Sequence, residues 1–293
     1  MKYYAIGKLR ARVDPGPIDI QDDMLTAAFV SGEEEAEDSG ESFSVSCCEG
    51  DLSFLQEWET ELYTGAYEIR RKEGKRYLVN HWMTDRFAFA LDLDGIYGRE
   101  QLQLLCNKEM RKPISLTAAH FLGMVGLHHR LLQVGCAVVH ASYITHNGKG
   151  ILFAAPSQTG KSTQAELWRQ YAGAEILNGD RALIFCRDGI WYAGGYIACG
   201  SSETCKNESY PLGGIVFLEQ GKDNLIRPAT AKERVCRLFA GMEKFHWSVE
   251  DTDLALALAS RVGAEVPVLH YSCRPDEAAV YTLKRYLEEM SSC

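Results

Sequence analysis

Ala155-Pro156-Ser157-Gln158-Thr159-Gly160-Lys161-Ser162-Thr163 is the stretch that decides how this chain is read. It follows the pattern G-x-x-x-x-G-K-[ST], with Ala155 standing at the first glycine. The run before it, Gly150-Ile151-Leu152-Phe153-Ala154-Ala155, is apolar enough for a buried strand, and the spacing after it predicts a helix from Lys161 to about Tyr171. A strand that ends, a backbone that curls with its N–H groups turned inward, and a helix whose positive end faces the same point together make an anion nest. The plain alternative is a glycine turn that caps an ordinary helix.

The pattern gives each residue a chemical part. Gly160 lets the backbone approach phosphates closely, Lys161 is a point charge for the β- and γ-phosphates, and the Ser162 hydroxyl suits Mg²⁺. Ser157, Gln158, Thr159, Gly160, Lys161, Ser162 and Thr163 are therefore the candidate nucleotide-binding set, with ATP and Mg²⁺ as the expected cofactors.

Working outward, Cys136 to Ile144 reads as a strand, and His146-Asn147-Gly148-Lys149 as a hairpin turn, because Asn-Gly tolerates the positive φ such turns demand. Upstream, Thr117 to Val134 carries Phe121, Leu122, Val125, Leu131 and Leu132 near the helical period and is expected as one helix. Downstream, strands are expected at Ile176-Leu177, Ala182–Cys186, Ile190–Tyr192, Gly214–Glu219 and Val266–Tyr271. Arg187-Asp188-Gly189 reads as a turn, and helices are expected near Ala231–Met242, Asp251–Val262 and Pro275–Glu289. Before about residue 115 the texture is of short strands: Phe43–Cys47, Tyr67–Arg70 and Phe87–Leu91, with turns at Lys72–Lys75 and Asp94-Gly95. The expectation is an α/β protein: residues 1–115 form a β-rich amino-terminal region, and residues 116–293 a domain whose mixed sheet holds the loop. Trp58, Trp82 and Tyr97 suit a β-rich core, and the acidic run Gly32–Glu41 an exposed loop.

The chain has 293 residues and a net charge of −9, which disfavours nucleic acid and anionic membrane as partners. No stretch is apolar and long enough to span a bilayer, and the start lacks the apolar core of a signal peptide, so a cytoplasmic protein is expected. Its ten cysteines are scattered, without Cys-x-x-Cys or zinc-type spacing, and read as buried apolar residues or free thiols. His128-His129 is read as exposed helix surface. A homo-oligomer is compatible with this composition.

Val139-His140-Ala141-Ser142, the hairpin, the loop and then Ile176-Leu177-Asn178-Gly179-Asp180 resemble the catalytic core of the HPr kinase/phosphorylase family. They look closer still to HPr kinase-like proteins of peptide-modification gene clusters, including lasso-peptide precursor kinases. The resemblance runs from about His140 to Leu218. It implies a mixed-sheet domain of the HPr kinase carboxy-terminal type, and a kinase whose acceptor is a hydroxyl, serine first, on a peptide or small protein. It places Lys161 and Ser162 at the phosphate and magnesium positions. Asp180 falls where the family's carboxylate handles the acceptor proton or helps hold Mg²⁺, and His140 at the family histidine. Two features depart from the family: Gly179 replaces the first residue of an acidic pair, and the later Glu-x-Arg-Gly-x-Gly signature is missing. In that place Gly194–Glu203 stands, read either as a surface loop or as a lining for the acceptor side; Lys206 and Arg227 are candidate extra phosphate contacts. Two other readings stay open: a non-catalytic ATP switch inside a peptide-modifying assembly, and a phosphoenolpyruvate carboxykinase-like enzyme.

Overall fold

The structure, a computed structural model, describes residues 1–33, 41–65, 67–80, 87–93, 101–108, 115–200 and 202–292. Most of the acidic run, the Asp94-Gly95 turn, Trp82, Tyr97 and Ser201 lie outside the described residues. The chain divides into two compact units, Met1–Arg130 and Leu131–Cys293, whereas the sequence texture changes near residue 115.

Unit 1 is mostly strand: β1 (Lys2–Ile6), β2 (Leu9–Asp14), β3 (Asp19–Gln21), β4 (Glu41–Gly50), β5 (Glu59–Tyr63), β6 (Tyr67–Lys72), β7 (Lys75–Asn80), β8 (Phe89–Asp92), β9 (Gln101–Asn107) and β10 (Ser115–Thr117). Eight of them form one mixed sheet in the order β1-β2-β4-β9-β8-β7-β6-β5, parallel where β4 meets β2 and β9. Alternation builds its core face: Leu9, Ala11 and Val13 of β2, and Phe43, Val45 and Cys47 of β4, are buried, with polar residues between them. The β6–β7 turn places Glu73 and Gly74 at φ +51° and +81°, the backbone of a tight hairpin. Trp58 packs edge-on against Phe54 and Tyr77 beside Leu52, Leu55, Val79 and Ala90.

The helix expected over Thr117–Val134 is two helices, α1 (Ala118–Met124) and α2 (Leu127–Gln133). Thr117 caps the first by accepting from the His120 N–H, and Gly126 at φ +81° interrupts the run. His129, expected at the surface, is fully buried; it stands four residues after Val125 and seven after Leu122, spacings that share the apolar helix face.

Unit 2 holds β11 (Cys136–His146), β12 (Lys149–Ala154), α3 (Lys161–Ala172), β13 (Glu175–Asn178), β14 (Arg181–Arg187), β15 (Ile190–Gly194), β16 (Ser209–Gln220), β17 (Leu225–Pro228), α4 (Ala231–Gly241), α5 (Val249–Glu265), β18 (Val268–Cys273) and α6 (Glu277–Ser292). Two long strands organise it. The first half of β11 pairs with β14 and its second half with β12 and β13. The first half of β16 pairs with β15, and its second half runs parallel to β12 and β18. Because β12 pairs with both long strands, β11-β14-β15-β16-β12 closes on itself.

Strand alternation divides the core. Ile151 and Phe153 of β12 join Ala165 and Trp168 of α3 and Ala279, Val280 and Leu283 of α6. Leu152 and Ala154 join Leu238 of α4 and Ala255, Ala259 and Val262 of α5. Helices thus cover both faces, and the end of β12 emerges between them. Among the described residues no helix is long and apolar enough to cross a membrane, and the nine described cysteines are free thiols, five of them buried.

The closed strands meet tightly at Gly150. A Cβ there would lie 2.9 Å from the Ala193 Cβ and 3.0 Å from the Tyr143 ring, whose hydroxyl donates to the Ala193 carbonyl at 2.9 Å. Gly150→Ala should therefore destabilise the protein by about 1–3 kcal/mol, the usual cost of overpacking. Urea denaturation checks this; an unchanged midpoint would show that the strands are not in this contact.

Candidate functional site

The loop between β12 and α3 is shaped by two left-handed residues, Gln158 at φ +65° and Gly160 at φ +111°. Gly160 is the N-cap of α3, and no side chain caps it. The first helical bond runs from the Gln164 N–H to the Gly160 carbonyl at 2.9 Å, so the N–H groups of residues 161–163 have no intrahelical acceptor. The first turn contains no acidic residue. Ser157, Ser162 and Thr163 are exposed and Thr159 partly so. At the end of β16, the Gln220 amide donates to the carbonyls of Gln158 and Thr159 at 3.4 and 3.5 Å and ties down the outer loop.

Lys161 is folded across this loop. It is only 7 % exposed, and its Nζ donates to the carbonyls of Ala155 and Pro156 at 3.0 and 3.4 Å. Burial lowers the pKa of its ammonium, and the nearby Asp180 carboxylate opposes that shift.

Asp180 is placed by a turn that follows β13. The fully buried Asn178 accepts, through Oδ1, from the N–H groups of Asp180 and Arg181 at 3.0 and 2.9 Å. The Ala141 N–H donates to the Asp180 carbonyl at 3.0 Å, and Ser142 Oγ to the Gly179 carbonyl at 2.7 Å. These bonds set the turn beside β11, where His140 Nδ1 lies 3.3 Å from Asp180 Oδ1. Arg181, directly across the β11–β14 register from His140, engages the other Asp180 oxygen and, through Nε, Glu243.

Lys161, Asp180 and His140, read from the sequence as site residues, therefore come together. His140 is not buried away on its strand; its side chain is 38 % exposed. Its pKa is lowered, first by burial and then by the Lys161 charge, against the pull of Asp180. Arg181 and Glu243 were missed. Arg181 adjoins Asp180, so its position was a signal. Glu243 had none: it arrives from beyond α4 because its N–H donates to the Val138 carbonyl at 2.9 Å and Met242 pairs with Val139.

Gly194–Glu203 is not a surface loop: Tyr196, Ile197 and Cys199 are buried. The segment presses on the Asp180 turn. A Cβ on Gly200 would lie 2.6 Å from Asp180 Oδ2, and one on Gly179 would lie 2.2 Å from the Ser202 Cβ. Gly179 therefore stands where it does because Ser202 takes the space of a side chain. Lys206 and Arg227 hold carboxylates, Glu175 and Glu233, the latter through two bonds of 2.7 Å. Among the described residues no cluster of three or more His, Cys, Asp or Glu could hold a metal ion.

Fold and site together define a mixed α/β protein with a strand–loop–helix cradle of N–H donors, a buried lysine and a carboxylate fixed beside it. The family model described as SynChlorMet cassette protein ScmC matches residues 104–262, just over half of the chain, and the chain belongs to that family. Among solved structures it is similar to the HPr(Ser) kinase/phosphatase from Coxiella burnetii, at 10 % identity and a TM-score of 0.35, over 53 % of this chain and 99 % of that one. No curated protein matches.

Two measurements check this geometry. By NMR, the His140 imidazole should titrate below the ordinary 6.5. Lys161→Met should raise that value and Asp180→Asn lower it further, because each removes a charge of opposite sign; equal values in all three proteins would separate these groups. Gly179→Asp should destabilise the fold by about 1–3 kcal/mol. Adding Ser202→Gly should recover most of that loss, and a melting temperature that does not recover would contradict the contact.

Proposed function

We propose that unit 2 is a Mg²⁺- and ATP-dependent kinase that transfers phosphate to a hydroxyl, serine first, on a peptide or small protein. The observation that carries this reading is the convergence of Lys161, Asp180 and His140 at the mouth of the loop. The residues suit a triphosphate: free N–H groups at the start of α3, no acidic side chain in its first turn, and an ammonium group within the loop. Lys161 would exchange the carbonyls of Ala155 and Pro156 for phosphate oxygens, which form stronger, charge-assisted bonds. The exposed Ser162 hydroxyl and Asp180 are the groups offered to Mg²⁺, an ion that commonly completes its shell with phosphate oxygens and water.

Magnesium and the triphosphate supply the transferable phosphoryl group and neutralise charge that develops on it. The chain's own residues handle the acceptor. Asp180 orients the hydroxyl and accepts its proton, within a frame made by His140, Arg181 and Glu243. His140, its pKa depressed, stays neutral near pH 7 and adds no positive charge that would tie up Asp180. Residues before about 115 recognise the acceptor, since every phosphate-facing feature follows His140. One observation favours the second reading, a nucleotide switch without transfer: Asp180 is already held by both Arg181 and His140.

Substitutions separate these readings. Lys161→Ala should weaken ATP binding more than tenfold in calorimetry, since a charge-assisted contact is worth roughly 1.5–3 kcal/mol. Unchanged affinity would remove the nucleotide from this loop. Asp180→Asn should keep ATP binding and lower transfer of labelled γ-phosphate by about 10²–10⁴. If Asp180 helps hold Mg²⁺ instead, the loss should shrink as Mg²⁺ is raised. Transfer at the wild-type rate would exclude Asp180 from the chemistry.

A further inference from the structure

In-line phosphoryl transfer sets the attacking and the leaving oxygen on opposite sides of the phosphorus. With Asp180 taking the acceptor's proton, the leaving diphosphate and its nucleoside extend away from Asp180. Asp180 and His140 stand on the β11–β14 side of the loop. On the other side the sheet continues from β12 through β16 to β18, and these three strands run parallel. In such sheets ligands occupy the space outside the carboxyl ends of the strands.

Those ends are built up here. Ala154, the last residue of β12, is level with Phe217 and His270, while β16 and β18 run on to the pair Gln220 and Cys273. At about 3.3 Å per residue they overshoot β12 by roughly 10 Å and flank the loop, and Gln220 bonds to it. The turns that follow the two strands are locked together. The Gly221 N–H donates to the Cys273 carbonyl at 3.0 Å, and Asn224 accepts from the Arg274 N–H at 2.9 Å and donates to Asp276 Oδ1 at 3.3 Å. Asp276 Oδ2 holds Arg274 Nε at 2.8 Å. One edge of the guanidinium is thereby fixed, yet the Arg274 side chain is 51 % exposed. A fixed, exposed guanidinium plane is a stacking surface for a flat ring.

We propose, building on the kinase reading above, that the nucleoside lies over the ends of β16 and β18, with its base stacked on the Arg274 guanidinium.

Calorimetry on the full chain compares Mg²⁺-ATP with Mg²⁺-tripolyphosphate, which has no nucleoside. Arg274→Ala should weaken ATP at least about fivefold and tripolyphosphate no more than about twofold. Arg274→Lys keeps the charge without the plane, so it should restore tripolyphosphate but not ATP. Equal losses for the two ligands, or full recovery of ATP in Arg274→Lys, would reduce Arg274 to a point charge and overturn the proposal. Photolabelling gives a second reading that needs no variant. Irradiated 8-azido-ATP carries its reactive group on the base, and the labelled peptide should contain residues 220–224 or 273–276. Label confined to β14 and β15 or to unit 1 would place the base elsewhere. If the chain binds tripolyphosphate as tightly as ATP, the nucleoside subsite alone fails. If it binds neither, the triphosphate reading of the loop fails and the subsite with it.

Discussion

The site is organised by a single buried amide. Asn178 has two donor hydrogens and two acceptor lone pairs, and all four are used. Its Oδ1 takes the N–H groups of Asp180 and Arg181, and its Nδ2 gives to the carbonyls of Tyr196 and Ala198 at 3.0 and 3.1 Å. The first pair fixes the turn that carries the carboxylate; the second draws in the segment that covers it. Without the amide, the N–H groups of Asp180 and Arg181 and the Ala198 carbonyl would lose this partner, at roughly 1–3 kcal/mol apiece where water cannot replace it, whereas the Tyr196 carbonyl also accepts from Cys205 Sγ at 2.8 Å. Placement of Asp180 is therefore tied to the folding of a loop twenty residues further on.

Close approach explains the glycines around that amide. Gly195 passes so near the Lys206 carbonyl that a Cβ would lie 1.7 Å from its oxygen, and Gly200 and Gly179 face Asp180 and Ser202 in the same manner. The resemblance to HPr kinases made Gly179 look like a lost carboxylate. The packing gives it a positive reason: the covering segment occupies the volume that a second acidic side chain would need. Gly179 and the segment Gly194–Glu203 are thus fitted to one another.

What the sequence made legible was local. The run Gly150–Ala155, the Asn147-Gly148 turn at φ +49° and +72°, and the helix that starts at Lys161 all follow from neighbouring residues. Asp180 and His140 are picked out by the resemblance of Val139–Ser142 and Ile176–Asp180 to the HPr kinase core. What stayed hidden depends on pairing between distant segments. Nothing in Cys136–His146 says that its halves serve different partners, because an apolar run fits both. Glu243 owes its place to the bridge of Met242 and Glu243 with Val139 and Val138, and no motif marks it. His129 illustrates a subtler limit. One helix is expected where the chain forms two, parted at the left-handed Gly126, and a polar residue type suggests surface although its spacing from Leu122 and Val125 places it on the apolar face.

The order of charges in the site has a consequence for ligand choice. Lys161, Asp180, Arg181 and Glu243 alternate in sign, and each of the four interacts with the next. Three of them, from Asp180 to Glu243, carry a net charge of −1 between them, which Lys161 cancels. An anion arriving at the start of α3 would therefore compete with Asp180 for Lys161. Arg181 eases that competition: it stays bonded to Asp180, so the lysine can turn to the newcomer without leaving that half-buried carboxylate without a partner. Glu243 then keeps Arg181 from answering the anion itself, since its guanidinium is committed on both sides. On this account the pair that the sequence did not reveal sets the selectivity of the pair that it did.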